Sequence, residues 1–457
     1  MEKIDIKVNA LSEQPINSIL ILTGYVLAIM FTLNVAFGNA IMNVITFGLP
    51  LNEMMIGIFL VLLASTGHLK IPTGNATAFL YIWLLFGLLF WLPVGFGNHG
   101  IVAGRDATQL LDCTALFIAY SLFSRVPTFR IIQAFQTILT IGLTLEFLDR
   151  VVLFLFTEVT VSSFQEVPLF GGTIGSSVIV ISSFWFGILM KDSTWMVQSW
   201  YLIVVSLIMV LLLQNRFVYV SMIGTSVIYF MLFRPSFLSR RFLIRLMTIL
   251  FFLGIFESFV GSFVSSILSF LPNADYLMSR RLFKYGLENF SLIGIFAHLA
   301  TGFGLENEIY SGAAGGTAQR LGWWYNIFVE LFSSPSKLFL GLGYGIPLTD
   351  MVAITAMREP HNSFVSVFAR QGLLCFVMWF IFHFSLAVTS MSALKRSLKG
   401  YQEYRLLLMC LLVTTSSYIC GLVEPAFELP PIAIPTYMFL GLSLTMLGRL
   451  KRKELNH

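Results

Sequence analysis

Runs of about twenty apolar residues recur along the whole chain, and they restrict the possible fold more than any motif does. A helix needs ~20 such residues to cross the hydrocarbon core of a bilayer. Runs of this kind lie near 17–36, 52–67, 75–95, 108–123, 129–148, 171–190, 196–213, 217–233, 246–270, 364–388, 405–424 and 434–449. Composition agrees: 57% of the 457 residues are hydrophobic and only 11% are charged, against about 25% charged in ordinary soluble domains. The expected fold is therefore an all-α polytopic membrane protein with about 12 transmembrane helices. The opening MEKIDIKVNALSEQP lacks the charged, apolar and small-residue pattern of a cleaved signal, so insertion is expected to use the first span itself.

Twelve spans place both termini on one side, and the distribution of basic residues orients them. With the termini inside, 18 of the 28 Lys and Arg residues fall in cytoplasmic segments, among them Lys70, Arg125, Arg130, Arg405, Arg449 and Lys451–Lys453. The other ten fall outside, six of them in the long segment 271–363. The net charge of +5 thus reads as an orientation signal and an anchor to anionic membrane lipids, not as a nucleic-acid surface. No internal repeat and no Pro/Gly/Ser linker divides the chain, so 1–457 reads as a single integral membrane domain. Its one large outer loop, 271–363, carries amphipathic helices, and 39–51, 150–170 and 286–304 could be re-entrant or interfacial. The four cysteines, Cys113, Cys375, Cys410 and Cys420, all sit in apolar runs and read as small buried hydrophobes.

Chemistry is expected where polar residues interrupt this pattern, above all in 318–372. Arg320 begins a stretch in which Leu321, Trp324, Ile327, Phe328 and Leu331 recur at helical spacing. Gly341, Gly343 and Gly345 then form a turn in GLGYG. No Lys-Ser/Thr follows it, which excludes a nucleotide phosphate loop. Arg216 lies in the short QNR connection between the seventh and eighth spans, and Glu424 ends the eleventh. A carboxylate in lipid is costly, so Glu424 is expected to face the protein interior. Arginine keeps its proton and grips phosphate through two parallel donors. His361, in Pro360-His361-Asn362-Ser363, precedes the tenth span. Pro360 would set the chain's approach there, and Asn362 or Ser363 would cap the helix. Imidazole can take a proton from a hydroxyl near neutral pH. No Asp-x-Asp occurs in the chain, which disfavours a metal-dependent sugar transferase.

These residues carry a resemblance. An Arg leading an aromatic helix, a G-x-G-x-G turn, and PHNSF with a glycine about ten residues on resemble the O-antigen ligase family, which includes O-antigen and exopolysaccharide polymerases. The likeness spans roughly 195–390 and is most specific at 318–372. It implies a metal-independent, inverting glycosyltransferase of the helical C type in the bacterial inner membrane, acting at the periplasmic face without a cofactor. The donor would be a glycan on undecaprenyl diphosphate, and the acceptor lipid A-core or a second lipid-linked repeat, with a chain-length regulator as a further partner. Arg216 and Arg320 would hold the diphosphate and His361 would activate the acceptor hydroxyl. Asn362, Arg358, Trp324, Gly343, Gly345 and Glu424 would contribute to substrate binding. The QNR of this chain departs from the Ser that often precedes this Arg in the family. A lipid-linked sugar transporter or flippase would instead show paired interrupted spans in two related halves, and no such halves are present.

Overall fold

A computed structural model describes residues 45–46, 49–155, 175–190, 196–213, 216–233, 313–348, 360–396, 401–422, 424 and 426–455. Among these the chain is helical, apart from one antiparallel pairing of β1 (Ile45–Thr46) with β2 (Leu49–Pro50). The helices are α1 (Leu51–Ser65), α2 (Asn75–Phe86), α3 (Leu92–His99), α4 (Ile101–Asp106), α5 (Thr108–Cys113), α6 (Ala115–Phe123), α7 (Thr128–Leu155) and α8 (Gly175–Met190). There follow α9 (Met196–Leu213), α10 (Arg216–Phe233), α11 (Ala313–Phe332), α12 (Pro335–Leu340), α13 (Ser363–Arg396), α14 (Gln402–Gly421) and α15 (Pro430–Leu455).

Five of the helical stretches are long and apolar enough to cross a membrane: 75–99, 128–148, 363–396, 402–421 and 432–453. Shorter apolar helices occupy most of the remaining runs. Ten of the twelve expected runs thus coincide with helix; those at 17–36 and 246–270 lie outside the described residues, as do 286–304 and most of 150–170. The two C-terminal helices form the centre. Most of α14 and α15 is buried, whereas only a third of the α2–α3 and α13 stretches is. Leu85, Leu89, Phe380 and Phe384 point outward from those peripheral helices, as expected of side chains facing lipid.

Two departures from regular helix matter. The run 108–123 is not one rod: it breaks between α5 and α6 at Thr114, and α4 breaks from α5 at Ala107. Hydropathy cannot register a break that leaves every residue apolar or buried. Helix α2 passes into α3 through a π turn at Gly87–Trp91. α6 packs on α15, where a Cβ at Gly441 would come within 3.1 Å of the Tyr120 backbone nitrogen. Only glycine allows that approach, the usual device for helix contact in a membrane.

The four cysteines are buried and unbridged, as expected. The stretch after Arg320 is helical, and its apolar stripe has a protein partner. Ile327 and Leu331 are fully buried with Leu348, Val365 and Ala369. The segment 313–348 therefore packs on the first turns of α13.

Candidate functional site

The start of α13 is locked from several directions. The Asn362 side chain accepts from the Val365 amide (3.0 Å), capping the helix, and donates to the Leu422 carbonyl (2.9 Å). The Ser363 hydroxyl accepts from the Phe427 amide (2.9 Å) and donates to Glu428 (2.6 Å). Residues 422–428 connect α14 to α15, so these bonds tie the entrance of α13 to the centre of the bundle. His361 lies just before the cap with φ 51° and is the one non-glycine residue at positive φ among those described. Such a backbone is strained for most side chains and persists here because both neighbours are pinned.

That conformation brings the imidazole to a shared carboxylate. His361 Nδ1 lies 2.7 Å from one oxygen of Glu424, and Arg320 Nη2 lies 3.2 Å from the other. The indole of Trp323 stacks against the imidazole, with centroids 6.0 Å apart and planes 16° from parallel. Side-chain exposures of 33% for Arg320, 22% for His361 and 19% for Glu424 keep the group open to a ligand while excluding bulk water from much of it. With Glu424 accepting from Nδ1–H, Nε2 becomes the proton-accepting nitrogen of the ring, and the carboxylate holds its orientation. The guanidinium offers its fork of donors beside it.

The other expected residues fall into separate places. Trp324 donates to the Pro360 carbonyl (2.7 Å) and so supports the His361 segment from behind. Gly343 and Gly345 do not join the His361 group. They adopt φ 89° and 99° and meet Trp91, His99, Asp106 and Arg370. Arg216 is the first residue of α10, separated from α9 by two residues, which agrees with its place in a minimal connection; its side chain lies outside the described residues, as does Arg358.

Arg370 lies fully buried within α13, 3.1 Å from Asp106. Its Nη1 donates to the carbonyls of Gly343 (3.3 Å) and Ile346 (3.0 Å), and Asp106 accepts from the Gly345 amide (3.0 Å). The GLGYG turn is thus folded around a buried ion pair. The chain docks further through Leu342 N–H to Ala369 O (2.6 Å) and Gly343 N–H to Arg370 O (2.9 Å). These carbonyls meet loop amides because α13 is broken at Gly372, at φ 74° and ψ 179°. Beneath the turn, the Tyr344 hydroxyl accepts from Gln371 and from Gln109, and Trp83 donates to Gln371. Burial pushes the Tyr344 hydroxyl above the usual tyrosine range, an effect its glutamine partners partly offset.

Among the described residues, no three of His, Cys, Asp and Glu are grouped so as to hold a metal ion. The reading from sequence missed Trp323, Asp106, Arg370 and Gln371. Trp323 carried a usable signal: it is one of two adjacent tryptophans, and only Trp324 fits the apolar spacing, which leaves Trp323 on a different face of α11.

Fold and site together define a helical membrane protein with an arginine, a carboxylate and an imidazole joined at one end of its bundle. Searched against protein-family models and against curated proteins, the chain matches neither.

Proposed function

We propose that the protein is a metal-independent, inverting glycosyltransferase of the O-antigen ligase type, in the bacterial inner membrane. It would move a glycan from undecaprenyl diphosphate to an acceptor hydroxyl on lipid A-core at the periplasmic face. The topology that goes with this is twelve spans with both termini cytoplasmic and 271–363 outside. One observation carries the reading: Glu424 draws together Arg320 and His361, which come from segments far apart in the chain, around a partly open space.

In this reaction the acceptor oxygen attacks the anomeric carbon as the bond to the diphosphate oxygen breaks. The hydroxyl proton passes to His361 Nε2, and undecaprenyl diphosphate departs with the bonding electrons. Arg320 neutralises charge on the leaving diphosphate, aided by Arg216 across the outer face. Glu424 holds the imidazole while its positive charge develops. A positioned base contributes about 10²–10⁴-fold, and preorganised charge supplies more.

The test is reconstitution of the full chain with a lipid-linked repeat and, separately, with lipid A-core added. Glycan on the core establishes a ligase; lengthened lipid-linked chains establish a polymerase acting on a second repeat. His361→Asn is the variant of choice, because asparagine tolerates positive φ better than alanine. The variant should insert normally and lose at least about 10²-fold in rate. Full activity in it would remove His361 from the chemistry.

A further inference from the structure

Helix α15 starts beside Glu424 and Ser363 and runs to the opposite end of the bundle. From Pro430 to Arg452 the helical rise is ~33 Å, close to the thickness of the hydrocarbon core. The structure at this far end is as closely built as at the first. Arg449 donates to the carbonyls of Phe123 (2.7 Å) and Val126 (2.6 Å) and to the Thr128 hydroxyl (2.8 Å). That fixes the turn between α6 and α7, which carries Arg125, against the last turns of α15. The segment between α1 and α2 is fixed there too, since the Lys70 amide donates to Ser121 (2.7 Å) and the Ser121 hydroxyl donates back to the Lys70 carbonyl (3.2 Å).

Lys70 is thereby held within electrostatic reach of Arg125 and of Arg452, cations from two other elements. Burial and the positive charges of Arg125 and Arg452 keep the Lys70 ammonium below the usual lysine range. Nη1 of Arg125 is buried without a hydrogen-bond partner among the described residues. Among the described side chains, the carboxylate of Glu403 is engaged by Lys453 (2.8 Å) and Thr128 (2.8 Å). Like charges held close repel, and a buried donor without an acceptor is costly, so an anion seated there is stabilising.

We infer that Lys70, Arg125 and Arg452 form a binding site for the phosphate of an anionic membrane lipid, at the end of the bundle opposite Glu424. Guanidinium and ammonium groups both suit a phosphate oxygen. A lipid fits better than a free anion because apolar side chains stand exposed at this end: Ile71 follows Lys70 and is 58% exposed, and Phe129 on α7, its ring under the Arg130 guanidinium, is 47% exposed. A headgroup seated on the cations would place its acyl chains along these side chains. The site is remote from the imidazole and independent of the proposed transfer reaction.

The test uses the full chain, stripped of lipid in neutral detergent and then offered phosphatidylglycerol or phosphatidylcholine, with retention read by native mass spectrometry. The parent should retain phosphatidylglycerol in preference to phosphatidylcholine. Arg125→Gln should lose roughly five-fold in that preference, and Lys70→Gln/Arg125→Gln more. Arg452→Gln, in an exposed last turn, supplies a variant that folds if changes at the Arg125 turn do not. Equal retention of the two lipids by the parent, or an unchanged preference in all three variants, would overturn the inference. Displacement of phosphatidylglycerol by millimolar inorganic phosphate would overturn the lipid assignment and leave a free-anion site.

Discussion

The buried pair of Asp106 and Arg370 offers the sharpest test of how the GLGYG loop is held. Asp106→Asn keeps the shape and an acceptor for the Gly345 amide, so it removes charge and little else. Arg370 would then remain a fully buried cation with the carbonyls of Gly343 and Ile346 but without its counter-charge. Removing one partner of a buried pair costs about 3–5 kcal/mol, and that is the loss expected here. Replacing buried pairs with apolar side chains is often neutral or better. In this case the exchange Asp106→Leu/Arg370→Met should not restore parental stability. It strands the Gly345 amide and the two carbonyls, at about 1–3 kcal/mol for each group left unpaired. The assay is reversible unfolding in mixed micelles, followed by fluorescence of the eight tryptophans. An Asp106→Asn loss under about 1 kcal/mol, or a double variant as stable as the parent, would refute the view that this pair organises the turn.

Glu424→Gln should leave the protein folded yet slow transfer by about 10²-fold or more, because the amide has no charge to offset the forming imidazolium and its NH2 can hold the wrong tautomer. Its effect should appear in kcat and in donor KM together, since Arg320 shares the same carboxylate; a change in KM alone would make Glu424 a binding residue only. Gly345→Ala should destabilise by about 2 kcal/mol or more, since φ is 99° and the new Cβ would fall 2.6 Å from His99 Cγ. Gly97→Ala, in open space on α3, should instead stabilise by about 0.5–1 kcal/mol. Thermal unfolding in detergent separates the two, and equal effects would discredit the backbone argument.

Much of the frame could be read from hydropathy because a membrane span announces itself by length and polarity alone. The cluster of His361, Arg320 and Glu424 was legible for a related reason. His361, Arg320 and Glu424 interrupt apolar sequence, and polar residues there stand out. The burial of Arg370 was not legible by the same logic: it is a charge near a span boundary, and nothing local distinguishes an exposed arginine from one paired inward. Its partner Asp106 sits in a distant short helix, and no spacing rule links the two. The breaks at Ala107, Thr114 and Gly372 were also invisible, because tertiary bonds to the freed backbone groups decide them. The stacking of Trp323 depends on the rotation of α11 about its axis, which the burial of Ile327 and Leu331 fixes.

The break at Gly372 bears on how such a protein could be re-engineered. It separates the opening turns of α13 from the remainder, and those turns exchange bonds with the GLGYG loop. Asp106 and its short helix belong to the same assembly through Arg370. A graft of His361 and Glu424 onto another helical frame would therefore need 101–106, 341–348 and 360–372 moved as one block with the 422–428 connection that pins Asn362 and Ser363. Transplanting the side chains alone would leave the imidazole without the scaffold that keeps its backbone in place.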